Sequence, residues 1–320
     1  MKRLIAACTL TLSAAVIAPS PGETTLRGHA LGVTSVVWSH DGRHVISGSL
    51  DGTLRVWDVA SAAPARVLTH GAEIYDVKSA PAGQIVASSG GDARIVLWDI
   101  SKEQQTGAIR LPKPALAIAF TAAGQIVAGC RDGIVRVIDV PSRSIRREIA
   151  VGGEQLAIAV SPDVRRLVTS MPAKVWDFTS GMELLSLRAY GDGTIAFAPH
   201  GELIVTGERT GGLRVFSPSG ERLQSLPTEL ERHVIGRTGP ETIRVNMPTV
   251  AVAFSADGSR VATGGSDRLV RLWTATAAGL QPLRTIEAHS MSVTGVAFSP
   301  DGEWIASSSL DHTVHLSRTR

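Results

Sequence analysis

Apolar and polar residues alternate along this chain in short runs, and the runs return in sets. In the first set the apolar positions are Val33, Val36 and Trp38, then Val45 and Ile46, then Leu54 and Val56. A period of two is that of strands with one covered face. Between the first two runs of a set sits a turn element: SHDG at 39–42, APAG at 80–83, TAAG at 121–124, SADG at 255–258 and SPDG at 299–302. Glycine permits positive φ there, and Asp bonds its own backbone two residues on, so antiparallel hairpins are predicted.

The sets are copies of one another. VTSVVWSHDGRHVISGSLDGTLRVWD, from Val33 to Asp58, returns as VTGVAFSPDGEWIASSSLDHTVHLS from Val293 to Ser317, with five further copies between. Third strands are predicted to end at Trp57, Trp98, Ile138, Trp176, Phe216, Trp273 and Ser317, at spacings of 41, 40, 38, 40, 57 and 44 residues. A small twisted sheet leaves both faces uncovered, and repeated sheets bury them by stacking around an axis. The fold class expected is therefore all-β, a single seven-bladed β-propeller of four-stranded antiparallel blades over residues 23–320. The repeats end on a third strand, one strand short of a full blade. Thr24–Arg27 is the fitting supplier of that strand, so the last blade is expected to be closed by the N-terminal strand. Ser170-Met171-Pro172-Ala173 lacks the second turn of the other copies and predicts an irregular blade 4.

Gly28-His29, Ser47, Asp51 and Trp57-Asp58 resemble the signature of the WD-repeat β-propeller family, and the resemblance extends over residues 24–317. It implies a hydrogen-bonded chain of His, Ser or Thr, Asp and Trp inside a blade. Carried over, blade 1 has His29, Ser47, Asp51 and Trp57, and blade 2 has His70, Ser88, Asp92 and Trp98. Blade 6 keeps Thr263, Asp267 and Trp273 without a His, and blade 7 keeps His289, Ser307 and Asp311 with Ser317 in place of Trp. Blade 3 retains Asp132 alone, and blade 5 keeps Thr206 with Phe216 for Trp.

Composition narrows the setting. Hydrophobic residues make up 43%, charged residues 19%, and the 32 glycines suit a turn-rich globular chain. Lys2 and Arg3, an apolar run from Leu4 to Ala18, and Pro19-Ser20-Pro21-Gly22 have the layout of a signal peptide over residues 1–22. A bacterial-type member exported to the periplasm or beyond is the reading; a cytoplasmic protein with this start is the alternative. Ile5-Ala6-Ala7-Cys8 resembles a lipoprotein box, but little apolar sequence precedes Cys8. Taking Lys2 and Arg3 away lowers the net charge from +3 to +1, which gives no argument for nucleic acid. Removing Cys8 leaves Cys130, so no internal disulfide is expected.

Candidate chemistry is sparse. His29, Ser47 and Asp51 imitate a catalytic triad, but the same set recurs in blade 2, whereas a catalyst needs one converging constellation. His312 and His315, placed on one strand, would point to opposite faces and not share a metal. Arg143, Arg146 and Arg147 read as a solvated rim. No catalytic residue, metal ligand or cofactor is assigned, and the chain reads as a monomer. Function is expected on the loops at one end of the axis. In the WD-repeat family these lead into the first strand and join the second to the third. Here they carry Leu31, Leu50, Glu73, Tyr75, Lys113, Arg131, Glu154, Asp192, Arg209, Met291 and Leu310. The long spacing before Trp273 places an insert near Thr228–Pro248, read as a hairpin in which HVI and IRV flank GRTGPET, Gly236–Thr242. A non-catalytic scaffold that presents these loops to a protein or peptide is the expected function. The alternatives are a propeller enzyme with a channel-bound metal or cofactor, or the sensory module of a larger signalling protein.

Overall fold

The computed structural model describes residues 23–60, 66–187, 194–208, 211–236 and 239–320. Seven four-stranded antiparallel sheets follow one another, and in blades 1 to 6 the strand order is the chain order, inner to outer. Blade 1 runs Val33–Trp38, His44–Ser49, Thr53–Asp58 and Arg66–Thr69, and blades 2 to 6 repeat this meander. Blade 7 takes Val293–Phe298, Trp304–Ser309 and Thr313–Arg318 from the C-terminal end, and Thr24–Arg27 from the other. The closing strand pairs Thr24 with Leu316, Thr25 with His315, Leu26 with Val314 and Arg27 with Thr313. Both ends of the described chain thus share one sheet.

Radial stacking is visible in the core. Among the described residues the buried apolar side chains fall into seven clusters, each between two consecutive blades. Leu54, Val56 and Leu68 of blade 1 meet Ile74, Val77 and Trp98 of blade 2, for example. The ring closes through Val33, Val36, Trp38 and Trp57 of blade 1 packed against Ala306, Val314 and Leu316 of blade 7. Apolar burial of this kind, at about 25 cal/mol per Å², is what a lone sheet lacks and a ring supplies.

Antiparallel meanders send every lead-in loop and every second-to-third-strand turn to the same end of the axis, the loop face. First-to-second-strand turns gather at the opposite end. In blades 1, 4, 6 and 7 those turns share one construction: a Ser hydroxyl donates to an Asp two residues on, as from Ser39 to Asp41 at 2.6 Å and Ser161 to Asp163 at 2.6 Å. The last turn position is Gly42, Gly258 and Gly302 in three of them, at φ 70°, and Val164 at φ 58° in the fourth. A β-branched residue in that region is strained.

Blade 4 is reduced but complete. Its inner strand is only Ile158–Val160, and its second and third strands are joined by Met171-Pro172 alone, a cis peptide, with Ser170 paired to Ala173. The insert before blade 6 is a separate two-stranded sheet, Glu229–Gly236 with Gly239–Asn246. Its ladder runs from Glu229 opposite Asn246 to Gly236 opposite Gly239. Residues 239–242, expected in a loop, therefore lie in a strand, because pairing continues as far as the two glycines. The neck is pinned where Met247 N–H donates to Thr228 O at 3.0 Å and the Thr228 hydroxyl to Met247 O at 2.6 Å.

Candidate functional site: the loop face and the channel mouth

Buried polar chains hold the loop face in place. In blade 1 the Trp57 indole N–H donates to Ser47 Oγ at 2.9 Å, Ser47 Oγ lies 2.8 Å from His29 Nε2, and His29 Nδ1 lies 2.9 Å from Asp51 Oδ2. The Asp51 carboxylate only accepts, so Nδ1 carries the hydrogen that faces it, and Nε2 accepts from the Ser47 hydroxyl, which in turn accepts from the indole. Asp51 also accepts from Ala30 N–H at 2.9 Å and from the Thr53 hydroxyl at 2.6 Å. The lead-in loop is thereby tied to the turn after the second strand. Burial pushes the Asp51 carboxyl up, but the Thr53, Ala30 and His29 hydrogen bonds outweigh it and hold it at about 2. Burial pushes His29 down, against the pull of Asp51.

Blade 2 repeats the chain with the imidazole turned over: Trp98 to Ser88 at 2.9 Å, Ser88 to His70 Nδ1 at 2.8 Å, and Nε2 to Asp92 at 3.4 Å. Blade 7 has His289 Nε2 at 2.8 Å from Ser307 and Nδ1 at 3.1 Å from Asp311. In blades 3, 5 and 6, which lack this His, an arginine from the third strand takes the carboxylate instead. Arg136 meets Asp132 at 2.8 Å, Arg214 meets Glu208 at 2.9 Å and Arg271 meets Asp267 at 2.5 Å. Glu208 and Asp267 are buried, where a carboxylate without a partner is costly, and the arginine stands in place of the imidazole; in blade 3 the buried partner is Arg136, and Asp132 is exposed. The histidines, serines and carboxylates that imitate catalytic residues are all engaged in these chains.

Five second-to-third-strand turns also bond through the backbone to their own lead-in loops: Leu50 N–H to Gly32 O, Gly91 to Glu73, Arg131 to Pro114, Ser266 to Pro248 and Leu310 to Ser292. On this frame the predicted loop residues separate into two groups, and Tyr75, expected in a loop, lies in the inner strand Ile74–Ser79, because the ladder already begins with Ile74 opposite Gly90. Glu73, Tyr75, Arg131 and Glu154, from blades 2, 3 and 4, form one continuous cluster. The Arg131 guanidinium lies 6.0 Å from the Tyr75 ring centroid and 3.7 Å from Glu154, and the Tyr75 hydroxyl is 3.5 Å from Glu73. Lys113 is exposed in the lead-in loop of blade 3, beside the Pro114 carbonyl that accepts from Arg131 N–H. Across the seam of blades 7 and 1 the chemistry is apolar. Leu31 and Met291 are 49% and 48% exposed, Leu50 and Leu310 are half-buried, and Leu310 lies against Gly32, where an added Cβ would meet its Cδ2 at 2.8 Å. Asp192 and Arg209 lie outside the described residues, as does the leader, 1–22.

The axial channel opens between these groups. Its cavity, about 190 Å³, is lined by the inner strands of all seven blades, with Thr34, Tyr75, Leu116, Leu156, Thr194, Val250 and Thr294 on its wall. Asp76 organises the wall and is a residue that the repeat pattern did not single out. Its Oδ1 accepts from Ser35 of blade 1 at 2.9 Å and from Lys78 at 2.6 Å, and its Oδ2 accepts from Ile118 N–H of blade 3 at 3.0 Å. One carboxylate therefore ties three blades. A charged pair at alternate positions of an inner strand, Ile74–Ser79, is the signal that marks it. Among the described residues no group of three or more His, Cys, Asp or Glu is placed to hold a metal ion, and no helix is long and apolar enough to cross a membrane.

Two other expectations are corrected. His312 is not on a strand with His315; it occupies the preceding turn at φ 70°, while His315 lies in Thr313–Arg318. The arginines at the outer strand of blade 3, Ser144–Ala150, are more than a solvated rim, because Arg143 donates to Thr106 O of blade 2 at 2.6 Å and Arg147 to Phe178 O of blade 4. Arg146 pairs with Asp139 at 3.5 Å.

The family described as WD domain, G-beta repeat, matches residues 22–58, 63–99, 244–274 and 280–316, which cover blades 1, 2, 6 and 7. On a seven-bladed ring with these buried chains, the matches support a WD-repeat β-propeller family. Among curated proteins, the nuclear distribution protein nudF of Emericella nidulans is 38% identical over 89 residues, 27% of this chain and 20% of that protein. Pre-mRNA-processing factor 19 homolog 2 of Arabidopsis thaliana is 25% identical over 261 residues, 78% of this chain and 48% of that protein. Autophagy-related protein 16 of Arabidopsis thaliana is 24% identical over 263 residues, 78% of this chain and 49% of that protein. The chain spans about half the length, or less, of these relatives.

Proposed function

We propose that the protein is a non-catalytic interaction platform that presents the loop face of its ring to a protein or peptide. One observation carries this reading: Glu73, Tyr75, Arg131 and Glu154, drawn from three blades, converge on a rigid frame beside the channel mouth. Tyr and Arg are among the types that dominate binding energy at protein interfaces, and a frame ordered before binding spares the cost of ordering loops. The apolar seam of Leu31, Leu50, Met291 and Leu310 offers a second contact area to the same partner. The WD-repeat matches support the same reading. Asp192 and Arg209 belong to the proposed face by their place in the repeat. The protein works as a monomer and needs no cofactor. The leader pattern of residues 1–22 supports export as a bacterial-type member, with the cytoplasm as the alternative.

Affinity capture of tagged protein from its native host, followed by mass spectrometry, tests the face when variants are run in parallel. Arg131→Glu reverses a charge on an exposed side chain and is expected to leave the melting temperature unchanged while cutting partner recovery at least about tenfold, a change of about 1.4 kcal/mol. Deleting residues 228–246 asks the same of the insert, and unaltered recovery would dismiss it as a recognition element. Equal recovery of the same partner by Arg131→Glu and the unaltered chain would remove the cluster from the proposed site.

A further inference from the structure

The strand that closes the ring is held differently from every other outer strand. The outer strands of blades 1 to 6 follow the third strand of their own sheet, whereas Thr24–Arg27 reaches blade 7 from the far end of the chain. Four register pairs join it to Thr313–Arg318. Thr24, Thr25 and Arg27 are exposed, and Leu26, half-buried, packs against the cluster between blades 7 and 1. Beyond the ladder, two side-chain contacts hold it: Glu23 with Arg284 of blade 6 at 3.2 Å, and the Thr25 hydroxyl with His315 Nδ1 at 3.1 Å.

His315 is an unusual anchor. It is 7% exposed, on the third strand of the blade that lacks the tryptophan of blades 1 and 2. Its ring stands edge-on to His289, with centroids 6.1 Å apart. Its Nε2 is buried and has no hydrogen-bond partner among the described residues. The groups that face it are His289, paired with Asp311 and Ser307; Asp311 itself; Glu23, just before the closing strand; and the Thr25 hydroxyl. Neither carboxylate is hydrogen-bonded to it. A proton added to His315 in the closed ring would therefore sit in a buried site, beside a second imidazole, with one N–H unsatisfied.

We propose that His315 is an acid-sensitive catch: its protonation favours release of the strand Thr24–Arg27, which opens blade 7 and exposes the backbone edge of Thr313–Arg318. Release brings water to the imidazole and removes the hydroxyl that engages Nδ1. Burial, then His289, push the His315 pKa below its ordinary 6.5 in the closed ring, while Glu23 and Asp311 pull the other way. A group whose pKa is lower when closed favours the closed state fully above its open value. That contribution falls as pH drops below about 6.5 through the closed value, by up to about tenfold in the closing equilibrium per pH unit.

Hydrogen exchange of the full chain, corrected for intrinsic rates and followed by mass spectrometry from pH 7.5 to 5.5, tests the catch. The amides of residues 24–27 are expected to lose at least about fivefold in protection over this range. Those of Ile126–Cys130, in blade 3, are expected to hold theirs. His315→Asn keeps a polar group at the Nδ1 position and cannot titrate there, so protection of 24–27 should become independent of pH. If that variant does not fold, His315→Gln serves the same comparison, and the unaltered chain still reports the contrast between the two segments. Constant protection of 24–27 across the range, an equal loss in both segments, or an undiminished loss in the Asn or Gln variant would overturn the proposal.

Discussion

Arg271→Met is expected to destabilise the ring by about 3–5 kcal/mol, among the largest effects of any single change to this chain. The Asp267 side chain is fully buried, and the guanidinium of Arg271, whose side chain is 14% exposed, lies 2.5 Å from it. Methionine fills much of the arginine's volume, so the loss isolates the charge and not the packing. Asp267 is then left buried without its cation. Equilibrium unfolding in urea measures the effect as a fall in midpoint with an unchanged slope. Adding Asp267→Asn to Arg271→Met is expected to recover most of the loss, since the double variant holds no unpaired charge. A single variant within about 1 kcal/mol of the unaltered chain would show that the pair contributes nothing of this kind.

Deleting residues 23–28 removes the strand that completes blade 7. About four backbone hydrogen bonds at ~1 kcal/mol each are lost with it, together with the Thr25–His315 bond and the burial of Leu26. A loss of at least about 4 kcal/mol is expected, which for a chain of this size lowers the melting temperature by roughly 6 °C or more. Calorimetry reads this directly. An unchanged melting curve would mean that closure does not depend on the N-terminal strand.

Much of this architecture is legible in the sequence because the repeat is periodic at two levels. Alternation marks the strands, and the spacing of the third-strand ends from Trp57 to Ser317 counts the blades. Closure by Thr24–Arg27 is legible from the offset of the repeats, and the buried chains of blades 1 and 2 from the order His, Ser, Asp, Trp. The arginine pairs of blades 3 and 6 are harder to read. Asp132 and Arg136 are four residues apart, as are Asp267 and Arg271, but so are Asp51 and Arg55. In blade 1 His29 occupies the carboxylate, and the Arg55 guanidinium lies 5.9 Å from the Trp57 ring instead. The same spacing therefore has two outcomes, decided by a residue some twenty positions upstream. The turn of blade 4 is hidden for a related reason: Ser161-Pro162-Asp163-Val164 lacks the glycine, yet the Ser161–Asp163 bond builds the turn with Val164 in the left-handed region.

The candidate site shows the same division. Its residues follow from their places in the repeat, one blade at a time, with Tyr75 in the inner strand and not in the loop before it. That Glu73, Tyr75, Arg131 and Glu154 touch, while Leu310 lies against Gly32 across the seam of blades 7 and 1, depends on how neighbouring blades are turned about the axis. No local pattern carries that angle. Asp76 escapes for the same reason, since its three partners lie in blades 1, 2 and 3.

The loop face as the binding surface is tested most directly by hydrogen exchange on the chain with and without the partner recovered by capture. Added protection is expected in the lead-in loops and second-to-third-strand turns of blades 2 to 4, around Glu73, Tyr75, Arg131 and Glu154, and along the seam of Leu31 and Leu310. The turns at Ser39–Gly42 and Ser299–Gly302, at the far end of the axis, are expected to be unchanged. Protection confined to those far turns or to the outer strands, with the loop face unaltered, would contradict the assignment.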